Sequence, residues 1–143
     1  MKTNRLHHVG MVVSPEKLPA FLSRLSTLGV DLSKCKKKRV DEFKCMCYLY
    51  GQIEIVVPDK GSTLEAWCSE SMTPLHHICI PVEDVRQHAE ELRSKGVPVL
   101  GEEPVQGVGG ILVNFVHPLY MGLMVEIAQL PQNSMCYGSA NED

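Results

Sequence analysis

Two histidines and two glutamates recur at matching places in the two halves of this chain. The segment LHHVG at 6–10 returns as LHHIC at 75–79, and a later apolar segment in each half carries a single glutamate, Glu54 or Glu126. Imidazole and carboxylate groups are common ligands of divalent metals in proteins. A bound divalent ion can polarise a carbonyl group and make the adjacent proton removable. The pattern therefore predicts a metal site to which each half contributes one histidine and one glutamate.

The alternation of side chains along a strand selects one histidine of each pair. In strand 5–13, His7 shares a face with the apolar residues at 9, 11 and 13, which we expect to pack beneath a helix, so His8 lies on the other face. The same argument selects His77 over His76.

Alternation also places Glu54 and Glu126 on the non-helix faces of their strands, where a lone carboxylate is costly unless it is paired or bound to a metal. The simpler interpretation is that the histidines are hydrogen-bonded core residues and the glutamates pair with lysines. We favour one divalent ion, Co, Ni, Zn, Mn or Mg, held by His8, Glu54, His77 and Glu126.

The elements that must position these residues form a repeat. Each half reads as a strand, a helix ending at a Gly-Val pair, and three further strands. The first helix is predicted to begin at Ser14-Pro15, and the second is predicted to be capped by Asp84 with Gln87. Strands are predicted at 5–13, 35–40, 43–50, 52–57, 75–82, 97–101, 111–117 and 122–129, with a short linking helix at 62–70 and a glycine-rich loop at 107–110.

This order predicts an α+β fold in which two βαβββ repeats, 5–57 and 75–129, form a curved mixed sheet around a metal-binding cleft. We expect residues 1–130 to form a single domain and the polar stretch 131–143 to be a flexible tail.

Composition narrows the classes of function. The 143 residues carry 14 Lys and Arg against 17 Asp and Glu, a formal charge of −3, which disfavours nucleic-acid binding. The sequence contains no apolar run long enough to span a membrane and no recognisable signal peptide, so a cytoplasmic location is expected. The six cysteines lack a CxxC pair and are expected to be free thiols. The basic run from Lys34 to Arg39 is interpreted as a solvated edge strand; the alternative is a rim that attracts an anionic substrate.

The strand with HHVG, the paired βαβββ units, Glu54 and Glu126 together resemble the vicinal oxygen chelate superfamily, which includes glyoxalase I, extradiol dioxygenases and bleomycin-resistance proteins. Within it, the second half is most similar to the methylmalonyl-CoA epimerase family. The matching segments are LHHICI at 75–80, VEDV at 82–85, EEP at 102–104, GVGG at 107–110, VNFVHP at 113–118 and VEI at 125–127.

This resemblance implies metal ligands at His8, Glu54, His77 and Glu126, and an epimerase or glyoxalase-like lyase that moves a proton next to a carbonyl. Glu126 and Glu54 are the candidate catalytic residues, with Glu126 both ligand and base. The predicted substrate contacts are His117, Gly109 and Gly110, the substrate an acyl-CoA or a hemithioacetal, and the assembly a homodimer. The position that we align with a catalytic glutamate of some epimerases is Lys44, and Leu119 stands where the family has a basic residue after its His-Pro pair.

Two other classes remain open. Drug-sequestering members of this superfamily bind small molecules without catalysis, but they tend to replace the metal ligands with apolar residues. Dioxygenases hold Fe(II) with two histidines and one carboxylate, and a fourth protein ligand would crowd the oxygen site. We therefore rank the metal-dependent isomerase or lyase first.

Overall fold

The computed structural model describes residues 2–132. Contacts between residues divide the chain into two compact units. The first unit runs from His8 to His77, and the second contains residues 78–132 together with residues 2–7.

The first unit contains four strands and two helices, followed by the start of a fifth strand. Its strands lie in the order β2-β3-β4-β1, with β1 parallel to β4 and the other pairs antiparallel. The elements are β1 (His8–Val12), α1 (Leu18–Thr27), β2 (Lys36–Val40), β3 (Cys45–Tyr50), β4 (Ile53–Pro58), α2 (Thr63–Glu70) and the first residues of β5 (Leu75–Val82).

The second unit repeats this plan. The rest of β5 is followed by α3 (Val85–Ser94), β6 (Val99–Gln106), β7 (Leu112–Val116) and β8 (Met124–Gln129). The strands lie in the order β6-β7-β8-β5, which matches β2-β3-β4-β1 position by position. The predicted pair of βαβββ repeats is therefore confirmed, and the fold belongs to the α+β class.

Helix α3 covers one face of its strands and so identifies the helix face and the opposite face. Val85 and Ala89 of α3 pack against Ile127 of β8, and Leu92 packs against Val125. Because side chains alternate along a strand, Glu126 lies on the opposite face of β8, as predicted. That opposite face carries its own apolar cluster, in which Ala128 meets Cys79 and Val113.

Helix α1 begins later than the sequence suggested. Ser14 and Pro15 were predicted to open it, but Ser14 instead starts a turn in which its carbonyl accepts hydrogen bonds from the backbone N–H groups of Lys17 and Leu18. The helix begins at Leu18, with Pro19 in its first turn. A proline lacks an N–H and is tolerated only in the first turn, so Pro19 excludes the earlier start.

The other predicted boundaries agree to within a few residues, apart from β6. The Asp84 cap is confirmed, since its side chain accepts a hydrogen bond from the Gln87 N–H at 3.0 Å. Strand β6 continues to Gln106 because an irregularity between Leu100 and Val105 lets it pair with β7 again.

Other predictions concern cysteines and termini. Cys35, Cys45, Cys47, Cys68 and Cys79 are free thiols, as expected. The predicted flexible tail lies, beyond residue 132, outside the described residues, as does Cys136. Within residues 2–132, no helix is long and apolar enough to cross a membrane.

Candidate metal centre

Three of the four predicted ligands converge inside the first unit. His8 Nε2 lies 3.0 Å from His77 Nε2. The Glu54 carboxylate reaches both rings, with Oε2 3.6 Å from His8 Nε2 and Oε1 3.4 Å from His77 Nε2. All three side chains are buried, with exposures of 0% for His8, 6% for Glu54 and 3% for His77. We call these three residues the triad.

The triad fits a divalent metal ion by its ligand chemistry and by its spacing. Ligand atoms about 2.1 Å from one ion lie about 3.0 Å apart at right angles and about 3.4 Å apart at tetrahedral angles. The separations of 3.0 and 3.4 Å fall within this range, and the 3.6 Å between His8 Nε2 and Glu54 Oε2 lies slightly above it. Neutral imidazole nitrogens and a carboxylate are ligands that Zn, Co, Ni and Mn accept.

Strand pairing explains why the triad comes together. Glu54 on β4 lies directly across from Gly10 on β1 in the parallel pair, so both residues lie on the face that carries His8. A Cβ atom built on Gly10 would overlap three atoms of the His77 imidazole. Gly10 is therefore the residue that makes space for the His77 ring beside Glu54.

His76 contacts the outer side of the triad. Its Nδ1 lies 2.9 Å from Nδ1 of His77, so one of these two nitrogens donates a hydrogen bond to the other. Burial, helped by the neighbouring His77 and opposed by Glu54, lowers the pKa of His76 to about 4, so its ring is neutral near pH 7. The edge of the His76 ring also meets Trp67 of α2, with ring centroids 4.8 Å apart. When His77 donates from Nδ1 to His76, its Nε2 presents a lone pair to the centre of the triad.

The fourth predicted ligand, Glu126, belongs to the second unit. It lies on β8 directly across from Phe115 and is 5% exposed. A buried carboxylate on this non-helix face agrees with the strand assignment, and its role as fourth ligand and base stays a prediction.

The predicted substrate contacts also lie in the second unit. His117 caps a short 3-10 turn, because its Nδ1 accepts a hydrogen bond from the Leu119 N–H at 3.0 Å. Gly109 and Gly110 lie in the turn at Val108–Gly110 and both have positive φ, 72° and 79°. These placements leave the predicted contacts of all three residues with substrate as a hypothesis.

Lys44, which we align with a catalytic glutamate of some epimerases, lies in an exposed turn. It is exposed, lies one residue before β3, and has a left-handed backbone with φ 50°. Its backbone N–H donates to the Asp41 carbonyl, which closes the turn before the strand.

Sequence reasoning missed two residues of the site. Gly10 was treated only as part of the strand motif, although its position two residues after His8 places it on the same strand face. His76 was set aside as the histidine of the wrong parity. Its role follows from adjacency: a histidine next to a ligand histidine can reach the far nitrogen of that ring, a contact that alternation does not reveal.

The fold and the triad define a class of protein, the glyoxalase-like paired βαβββ proteins. The structure superposes with a TM-score of 0.79 on a Streptomyces coelicolor methylmalonyl-CoA epimerase solved with 2-nitronate-propionyl-CoA, at 23% identity over 92% of this chain and 97% of that one. Residues 7–115 match the family model of the Glyoxalase/Bleomycin resistance protein/Dioxygenase superfamily, and the chain belongs to this superfamily. The resemblance seen in the sequence is thereby confirmed.

Two curated relatives are enzymes of one kind. The chain is 30% identical to the ethylmalonyl-CoA/methylmalonyl-CoA epimerase of Cereibacter sphaeroides over 133 residues, which cover 88% of this chain and 98% of the relative. It is 28% identical to the human mitochondrial methylmalonyl-CoA epimerase over 131 residues, which cover 87% of this chain and 73% of the relative. Relatives of this chain are therefore epimerases.

Proposed function

We propose that this protein is a metal-dependent epimerase that acts on a malonyl-type acyl-CoA thioester such as methylmalonyl-CoA. The observation that carries the proposal is the triad, two imidazole nitrogens and a carboxylate within 3.6 Å of one another on a buried strand face. The similarity to CoA epimerases supports the choice of substrate, since one relative is aligned over 98% of its length.

His8, Glu54 and His77 hold the divalent ion in this proposal. Such an ion, when bound, draws electron density from a carbonyl oxygen and makes the adjacent C–H bond more acidic. The two imidazoles supply neutral ligands, and Glu54 supplies negative charge that partly balances the ion. Burial of all three excludes water from the triad, which strengthens each electrostatic interaction within it.

Glu126 is the proposed fourth ligand and the group that moves the proton. An epimerase removes a proton from one face of the α-carbon and returns a proton to the other face, so the site needs a group that accepts the first proton and a group that donates the second. Lys44 stands at the aligned position of the epimerase glutamate, and its ammonium group cannot serve as a base while protonated. We therefore assign removal of the proton to Glu126 and return of a proton at the opposite face to Glu54, the second carboxylate of the site.

A glyoxalase I-like lyase and a drug-sequestering protein are the alternatives. The hemithioacetal of glutathione is the substrate expected of the lyase. A drug-sequestering protein needs no metal ligands. In such a protein a buried carboxylate between two buried histidines would lower stability without serving catalysis. One deuterium-exchange experiment distinguishes the epimerase, the lyase and the drug-sequestering protein.

Deuterium exchange tests the proposal most simply. Cobalt-loaded protein is incubated in D₂O with methylmalonyl-CoA or with the hemithioacetal of methylglyoxal and glutathione, and deuterium at the carbon next to the carbonyl is measured. We expect exchange into methylmalonyl-CoA, loss of exchange by orders of magnitude in Glu126→Gln, and unchanged exchange in Glu102→Gln, an exposed glutamate of β6.

Each other outcome identifies an alternative. Conversion of the hemithioacetal without exchange into methylmalonyl-CoA would favour the lyase. If protein shown to hold one ion per chain exchanges deuterium into neither compound, the proposal that the protein is an enzyme is contradicted and the binding protein is favoured. Full exchange by the Glu126→Gln variant would be compatible with an epimerase but would show that Glu126 is not the base.

A further inference from the structure

The strand β2 concentrates positive charge in a chain that is acidic overall. It reads Lys36-Lys37-Lys38-Arg39-Val40, four consecutive cations in a protein of net charge −3. In the first unit, β2 lies at the end of the strand order and pairs only with β3. Lysines on an edge strand commonly serve to prevent aggregation, so their direction relative to the site decides whether they do more.

Strand register places two of these lysines on the face that carries the triad. Lys36 lies directly across from Leu49 on β3, and Leu49 lies directly across from Glu54 on β4. Directly opposed residues of an antiparallel pair share a face. Lys38 shares that face because it lies two residues along β2 and opposes Cys47. Two strand spacings, about 10 Å, separate the backbone of Lys36 from that of Glu54.

The other two cations of β2 lie on the opposite face and differ in their surroundings. Arg39 makes ion pairs with Asp41 and Asp59 on exposed surface. Lys37 opposes Tyr48 and is exposed. Between the lysines of the triad face and Glu54 lie Leu49 and Cys47, both buried, at 7% and 6% exposure. Buried apolar neighbours of this kind lower the local dielectric constant and strengthen the attraction between the ammonium groups and an anion placed beside them.

We infer that Lys36 and Lys38 bind an oxyanion of the substrate whose reacting end lies at the triad. This inference rests on the proposed acyl-CoA epimerase function. Two oxyanions of a malonyl-type CoA thioester have the required chemistry: the phosphates of the CoA portion and the free carboxylate of the malonyl portion. Both accept charge-assisted hydrogen bonds from ammonium groups.

The test compares lysines on the two faces of the same strand. Binding is measured by calorimetry with two probes, CoA, which carries phosphates and no carboxylate, and malonyl-N-acetylcysteamine, which carries a carboxylate and no phosphate. Lys36→Gln, Lys38→Gln and the double variant are compared with Lys37→Gln, which removes the same charge from the opposite face. Circular dichroism and cobalt binding confirm that each variant is folded and keeps the triad.

We expect the double variant to bind one probe about tenfold more weakly than the unaltered protein does. The affinity of the Lys37→Gln variant should differ from that of the unaltered protein by less than twofold. A loss confined to CoA identifies the phosphates, and a loss confined to the short thioester identifies the carboxylate. The affected binding should also weaken as salt is raised.

Equal effects in Lys37→Gln and in the Lys36 and Lys38 variants would overturn the inference and leave a solvated edge strand. Failure of the unaltered protein to bind either probe would also overturn it. The epimerase proposal is judged separately by deuterium exchange in the unaltered protein, which requires neither lysine variant.

Discussion

A methyl group at Gly10 should disrupt the metal centre. The Cβ atom of Gly10→Ala would overlap the His77 imidazole, so the ring must rotate away from Glu54 and His8. The backbone of Gly10 does not require glycine, because its φ is not positive. A compatible glycine-to-alanine change stabilises by about 0.4–1 kcal/mol, whereas overpacking costs about 1–3 kcal/mol. We therefore expect a net destabilisation of about 1–2 kcal/mol.

The larger effect should be on metal affinity, because a displaced His77 ring can no longer bind the ion, whereas His8 and Glu54 still can. Disturbing the support of a metal ligand typically lowers affinity by about 10–100-fold. The affinity for Co²⁺ is measured by competition with a chelator, and the free energy of unfolding by urea titration of metal-free protein. Gly107→Ala is the matched control, because the nearest neighbours of its new Cβ are apolar side chains of the second unit, Ile111 Cγ1 at 3.0 Å being the first, and not a residue of the triad.

A double variant isolates the cause. In His77→Ala protein the imidazole is absent, so adding Gly10→Ala should cost no stability and should stabilise slightly. If Gly10→Ala binds Co²⁺ as tightly as the unaltered protein, or destabilises His77→Ala protein equally, the close approach of Gly10 and His77 is not what shapes the site.

Three further substitutions test the site and the fold. Glu54→Gln should lower Co²⁺ affinity about 100-fold or more, because it removes the one charged ligand of the triad; unchanged affinity would exclude Glu54 as a ligand. His76→Phe, which keeps a ring against Trp67, should lower Co²⁺ affinity about tenfold and change the ¹⁵N shifts that report the His77 tautomer, while His76→Asn should restore both; equal behaviour of the two variants would refute the hydrogen bond. Asp84→Ala should cost about 1 kcal/mol in urea unfolding without changing metal affinity, and no loss would contradict its role as a helix cap.

Much of the fold was predictable because the repeat is written in local patterns. The paired HHVG and HHIC strands and the glutamate-bearing strands recur in order, and alternation along each strand separates a helix face from a site face. That reasoning selected His8, Glu54 and His77, which the structure brings together. It also placed Glu126 opposite the helix face of β8.

Two of the features that were missed depend on contacts between distant segments, and one, the start of α1, is local. The close approach of Gly10 to His77 joins residues far apart in sequence, and no periodicity records it. The start of α1 was misplaced because Ser14-Pro15 has the form of a helix cap, whereas Pro19 restricts where the first turn can lie. The alignment of Lys36 with Glu54 required the register of three strands, which the sequence does not determine.

The central claim is that metal held by the triad enables this chain to epimerise an acyl-CoA. The most direct test is to strip the protein with chelator, add back Co²⁺ in steps, and follow the interconversion of the (R) and (S) forms of methylmalonyl-CoA. We predict negligible interconversion by metal-free protein and a rate that rises to a plateau at one ion per chain, with no such rise in Glu54→Gln at the same Co²⁺ concentrations. Interconversion that is independent of metal, or absent when one ion per chain is bound, would contradict the claim.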